Sequence, residues 1–193
     1  MTLSESDKEF VAVGAAIGAG CHPCTQHHTQ AALKAGLSFE QVLWAIDEAQ
    51  AVRAREGVAV GNVGRRILGV EQQDAEALEP PACRDAALVA LAAADGCNSG
   101  VLLTEYAEQA VKQGISGGEL RETIDIAEMV KTMAGKFLLR DVERALGRAP
   151  EAAAVAASAA GCCAGQASGP IEAPARTEMG TSEQGCGCAS QEQ

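Results

Sequence analysis

No stretch of this chain alternates apolar and polar residues as a half-buried strand would, and the apolar positions fall instead into helix-length runs broken by glycine. Gly36, Gly69, Gly114 and Gly147 each stand where such a run stops, the place of a C′ glycine. Starts are marked as clearly. Ser6-Asp7-Lys8-Glu9 and Ser116-Gly117-Gly118-Glu119 have the Ser-x-x-Glu form of a capping box, and Ser38-Phe39-Glu40-Gln41 is its Gln version. Together these signals predict an all-α fold with helices at 7–19, 23–35, 39–55, 57–68, 84–95, 99–113, 117–133 and 136–146.

The pattern repeats. A shift of 78 residues lays Ala32–Gly69 on Ala110–Gly147, with about 12 of 38 positions identical, including Gly36 on Gly114, Ser38 on Ser116, Val52 on Val130 and Gly57 on Gly135. Upstream, an offset of 76 lays Glu9 on Asp85 and Gly20-Cys21 on Gly96-Cys97. Two tandem helical repeats, 1–72 and 73–149, therefore make one domain, with Pro80-Pro81 at the junction. Residues 150–193 are rich in Ala, Gly, Ser and Pro without a stripe of large apolar side chains, which predicts a disordered tail.

Composition narrows the picture. At 193 residues and 47% hydrophobic the chain can bury a core, and its 3% aromatic content favours close-packed helices over sheet. A net charge of −11 argues against binding nucleic acid or an anionic membrane surface, both of which need a basic face. The N-terminus MTLSESDKEF lacks the features of a secretory signal, and no apolar run is long enough to span a bilayer, so a soluble cytoplasmic protein is expected. In that reducing setting eight cysteines suggest metal ligation or redox chemistry more than structural disulfides.

Residues 20–28, GCHPCTQHH, hold two of those cysteines and all three histidines. Pro23 suits a first helical turn, so Cys24 lies at a helix start with Cys21 just outside, where unpaired N–H groups and the helix dipole favour a thiolate. Two thiols at this spacing can also close into a disulfide. His28 lies one turn beyond Cys24 on the same face, whereas His27 points about 100° away. Glu9, on the preceding helix, either orients a histidine or closes the capping box with Ser6. Three readings stay open: a redox dithiol, a zinc site made of Cys21, Cys24, His28 and Glu9, and an inert buried pair. The second repeat has Gly100 opposite Cys24 and Thr104 or Tyr106 near His28, so it reads as structural, with Cys97 a small buried residue.

The combined spacing, Glu9-x11-Cys21-x2-Cys24-x3-His28, resembles the signature of the AhpD-like alkylhydroperoxidases within the carboxymuconolactone decarboxylase family, and AALKAGLSFEQVLWAI resembles the helix, turn and helix that follow it there. One position departs: Pro23 stands where some members have a histidine, and His22 follows the first cysteine instead. The resemblance implies an all-α bundle assembling as trimers or hexamers. It also implies thiol-dependent reduction of a hydroperoxide or disulfide, without a cofactor, reset by a dithiol or lipoyl-type donor. Cys24 would be the more exposed, attacking thiol, Cys21 the resolving one, and His28 with Glu9 the proton relay. Lactone decarboxylation is disfavoured, because that branch works without the cysteine pair. An alternative function rests on the tail, where Cys162, Cys163, Cys186 and Cys188 are closely spaced soft donors suited to zinc, copper or arsenite.

Overall fold

The computed structural model describes residues 2–74 and 80–147. Among them the regular structure is entirely α-helical: α1 (Glu5–Gly18), α2 (His22–Lys34), α3 (Phe39–Leu68), α4 (Arg84–Gly96), α5 (Gly100–Lys112) and α6 (Gly117–Ala145). Residues through Phe137 belong to one compact unit, and α6 continues past Leu138 into a second, of which 138–147 are described. None of the described helices is long and apolar enough to cross a membrane. The tail cysteines 162, 163, 186 and 188 lie outside the described residues.

Helices α1 and α4 form the centre because they are apolar or small on every side: Phe10 to Gly18 and Ala86 to Gly96 are buried without interruption. They cross closely. A Cβ on Gly14 would stand 2.8 Å from Val89 O, one on Gly96 would stand 2.6 Å from Ala15 O, and one on Gly18 would run into Ala93 O. The other helices are one-sided and bury a residue every third or fourth position, as a surface helix does. In α2 the buried set is Cys24, His28 and Ala32, and in α5 it is Leu102, Tyr106 and Ala110.

Those two triplets differ by 78, which corrects the upstream offset of 76. Ala19 and Cys97 both cap a helix C-terminus in right-handed helical conformation, Gly20 and Asn98 both take positive φ (66° and 59°), and Cys21 and Ser99 both cap the next helix at φ −92°, ψ 100° and φ −89°, ψ 96°. The identity of Gly20-Cys21 with Gly96-Cys97 is thus a coincidence of letters. Glu9 is matched by Ala87, Cys21 by Ser99, Cys24 by Leu102 and His28 by Tyr106.

Two further expectations change. Helices 39–55 and 57–68 are one, and so are 117–133 and 136–146. Gly57 and Gly135 do not take the left-handed conformation that ends a helix, and each simply weakens its helix by roughly 1 kcal/mol against alanine. The first helix also starts earlier than Ser6. Ser4 is its cap, with Ser4 Oγ accepting from Asp7 N–H and Asp7 Oδ2 accepting from Ser4 N–H, both at 3.1 Å. Both Ser-x-x-acid frames fit the sequence, and tertiary contacts select one. Arg84 holds both Asp7 oxygens at 3.0 and 3.2 Å, while buried Leu3 donates its N–H to Glu122 at 2.8 Å. The boxes at Ser38/Gln41 and Ser116/Glu119 form where the sequence puts them.

Candidate active site

Chain reversal between α1 and α2 takes three residues, Ala19 to Cys21. Gly20 turns the chain in the left-handed region, and Cys21 N–H closes back on Ala16 O at 3.0 Å. Cys21 then becomes the N-cap of α2, and its Sγ accepts the Cys24 N–H at 3.2 Å, the role a serine or aspartate usually fills. Pro23 occupies the first turn, where its missing N–H leaves nothing unpaired. No acidic residue sits in that turn to offset the positive helix end.

Cys21 and Cys24 are joined as a disulfide with Cα atoms 5.3 Å apart. Both are buried, at 6% and 4% exposure, so neither is the more exposed thiol in this state, contrary to the role the resemblance gives Cys24. Both belong to an apolar cluster that includes Ala12, Ala16, Leu88 and Val130, with Met133 and Phe137 of α6 packed against it.

Glu9 is released from the cap by Ser4 and Asp7, and its Oε2 lies 3.1 Å from His28 Nδ1. With Nδ1 so held, the free ring nitrogen of His28 is Nε2. His28 is nearly buried, and His27 stands edge-on to it with ring centroids 4.9 Å apart. Burial lowers the His27 pKa, and the neighbouring His28 lowers it further. His22 is exposed on the first turn of α2. Four of the residues singled out by sequence are thus paired as two couples on neighbouring helices: Cys21 with Cys24, and Glu9 with His28. No group of three or more His, Cys, Asp or Glu residues arranged to hold a metal occurs among the described residues.

The glutamate, dithiol and histidine all come from α1 and α2, and the known-family comparison falls on the same stretch. Residues 2–60 match the carboxymuconolactone decarboxylase family. The similarity therefore falls within the first repeat, and the family it points to includes AhpD-like peroxidases as well as decarboxylases. No curated protein and no solved structure matches the chain. The match ends inside α3 and does not reach the second repeat.

That second repeat contains no counterpart of the dithiol. Ser99 Oγ takes the cap N–H of Leu102 at 3.2 Å, as Cys21 does for Cys24, and donates its own proton to Glu56 at 2.6 Å. Tyr106 fills the space of His28. Cys97 is half-buried rather than buried, its thiol lies 3.5 Å from Gly18 O, and burial pushes its pKa up.

Sequence reading missed two features. One is the cluster in which Arg84 joins Asp7 to Glu119 at 2.9 Å. The other is Arg53, which donates from α3 to Ile17 O at 2.8 Å and Gly18 O at 2.7 Å, directly before the dithiol turn. Neither carries a local signal, except that Arg53 aligns with Lys131 at the 78-residue shift.

Proposed function

We propose that this protein, similar over residues 2–60 to the carboxymuconolactone decarboxylase family, is a thiol-dependent oxidoreductase of the cytoplasm that reduces hydroperoxides or partner disulfides through Cys21 and Cys24. The observation that carries the reading is the joint placement of a disulfide at the N-terminus of α2 and a Glu9–His28 hydrogen bond one turn further along. A dithiol at a helix start supplies a thiolate near neutral pH, and a carboxylate-held imidazole next to it supplies and accepts protons.

In the reduced protein, the Cys24 thiolate attacks the terminal oxygen of a hydroperoxide. The O–O bond breaks, the alcohol leaves with a proton from the His28 relay, and Cys24 becomes a sulfenic acid. Cys21 thiolate then attacks Cys24 Sγ, water leaves, and the disulfide forms. Two thiols have lost two electrons and the peroxide has gained them. With a disulfide substrate the Cys24 thiolate attacks one sulfur and releases the first partner thiolate, and Cys21 then attacks Cys24 Sγ of the mixed disulfide and releases the second. A dithiol or lipoyl-type donor resets the pair.

The test is peroxide consumption with an added dithiol donor. Cys24→Ser and Cys21→Ser should each abolish turnover, and wild-type turnover in both variants would overturn the proposal. Self-association as a trimer or hexamer belongs to the same reading. Exposed apolar side chains at Val60, Val63 and Ile67 on α3 support it. Light scattering at micromolar concentration should give a multiple of 19.7 kDa, and a single-chain mass would remove the claim.

A further inference from the structure

Gly20 and Asn98 hold the same left-handed position in the two repeats, yet only one carries a side chain. Space explains the difference. A Cβ on Gly20 would stand 2.6 Å from Arg53 Nη1, 2.7 Å from Nη2 and 2.9 Å from Cζ, so the guanidinium lies flat against the residue preceding Cys21. In the second repeat the aligned cation is Lys131, which donates to Asp95 O at 3.2 Å, the counterpart of Ile17 O, through a single ammonium where Arg53 presents a planar guanidinium.

The charge around the two cations differs as well. Lys131 is paired with Glu128 at 2.7 Å and lies 3.5 Å from an Asp95 oxygen. The first repeat has Gln50 and Ile17 at those two positions, and Arg53 enters no ion pair with a described residue. In a chain of net charge −11, a cation without an ion-pair partner among the described residues stands beside the dithiol turn. Bond lengths place its Cζ within roughly 8 Å of the Cys21 α-carbon.

The geometry points to Arg53 as a positioning residue of the dithiol: it ties the last carbonyls of α1, fixes the Gly20 turn, and keeps a positive charge, in no ion pair with a described residue, that favours the Cys21 thiolate. The inference rests on the dithiol reading above. It concerns thiol reactivity rather than the substrate, so it stands or falls separately from the peroxidase assay. Other charged and titratable groups on the surrounding elements include Glu9, His22, His27, His28, Glu48, Glu56, Asp95, Cys97 and Lys131, and all are unchanged when Arg53 alone is replaced.

The experiment follows alkylation of Cys21 and Cys24 against pH in the reduced full chain, using iodoacetamide and mass spectrometry of the peptide that contains them. In Arg53→Gln the alkylation midpoint should rise by about half a unit to one unit, the effect of removing one charge at that distance. Arg53→Lys should restore most of it, and Lys131→Gln should move it far less. Raising salt from low to molar concentration should lift the wild-type midpoint towards that of Arg53→Gln, a readout that needs no variant to fold. An unchanged midpoint in folded Arg53→Gln, or an equal rise in Arg53→Gln and Arg53→Lys, would overturn the inference. So would a wild-type midpoint indifferent to salt.

Discussion

The two halves of this molecule share a backbone and differ in what they bury on it. Cys24, His28 and Ala32 line the inner face of α2 at the positions where α5 carries Leu102, Tyr106 and Ala110. Cys21 and Ser99 cap those helices through the same hydrogen bond at 3.2 Å, one with sulfur and one with oxygen. The comparison separates what the fold needs from what the chemistry needs. A small polar cap after a left-handed residue is structural, since both halves have it, whereas the second cysteine, the histidine and Glu9 occur in one half only.

The sharpest break between the halves is expected in the relay. Glu9→Gln and His28→Ala should each slow peroxide turnover by roughly 10²–10⁴-fold in steady-state assays, the usual range for losing positioned acid–base help, while Tyr106→Phe in the other half leaves turnover unchanged. Because Ser4 and Asp7 form the cap, Glu9→Gln should not lower the melting temperature, whereas Ser4→Ala should cost about 1 kcal/mol. A stability loss on Glu9→Gln without a loss of turnover would return Glu9 to a structural role.

Next in size is the crossing that both halves share. Gly96→Ala pushes a methyl group against Ala15 O and Ala19 N, main-chain atoms with no rotamer to yield, and should destabilise the fold by about 1–3 kcal/mol in urea unfolding. Cys24→Ala, by contrast, should leave the helical circular dichroism spectrum unaltered.

Acid should act on the bridge between the halves. Hydrogen bonds from Ser116, then Arg84, hold the Glu119 carboxyl down at about 2 rather than 4.5. Asp7 is also lowered, burial there being outweighed by the hydrogen bonds of Arg84 and Ser4. A depressed carboxyl stabilises the fold fully above its unfolded pKa and loses that contribution as pH falls, so this part of the stability should fade between pH 4.5 and about 2. Asp95 and Glu48 oppose the trend, because burial raises both and protonation relieves them. Arg84→Met should flatten the acid limb of a melting-temperature profile.

The smallest effect tests the long helices. Gly57 and Gly135 have open space where a Cβ would stand, so either one changed to Ala should stabilise by about 0.5–1 kcal/mol.

Local signals were legible in the sequence, and signals that depend on a distant partner were not. The boxes at Ser38 and Ser116 and the left-handed glycines at 36, 69, 114 and 147 need only their neighbours, and they form as read. Ser6 failed because Arg84, far along the chain, holds Asp7 and so selects the Ser4 frame. The break expected between 39–55 and 57–68 did not form, since ending a helix there would need a left-handed residue and Gly57 does not adopt that conformation. The Cys21, Cys24, His28 and Glu9 set was visible through spacing, but the competition for Glu9 between cap and histidine was decided by tertiary packing. Arg53 had no chance of detection from spacing, since its meaning depends on a glycine 33 positions away in the sequence.

The shared turn at Gly20 and Asn98 bears on how such a protein ages. Because the second half makes the turn with neither sulfur of the pair, the thiols are not what holds the chain in that shape. On the proposed chemistry, over-oxidation of Cys24 to a sulfinic or sulfonic acid would end turnover while the turn kept its shape, and the cost would fall instead on the packing around the sulfur, where a charged acid would meet Ala12, Ala16 and Leu88.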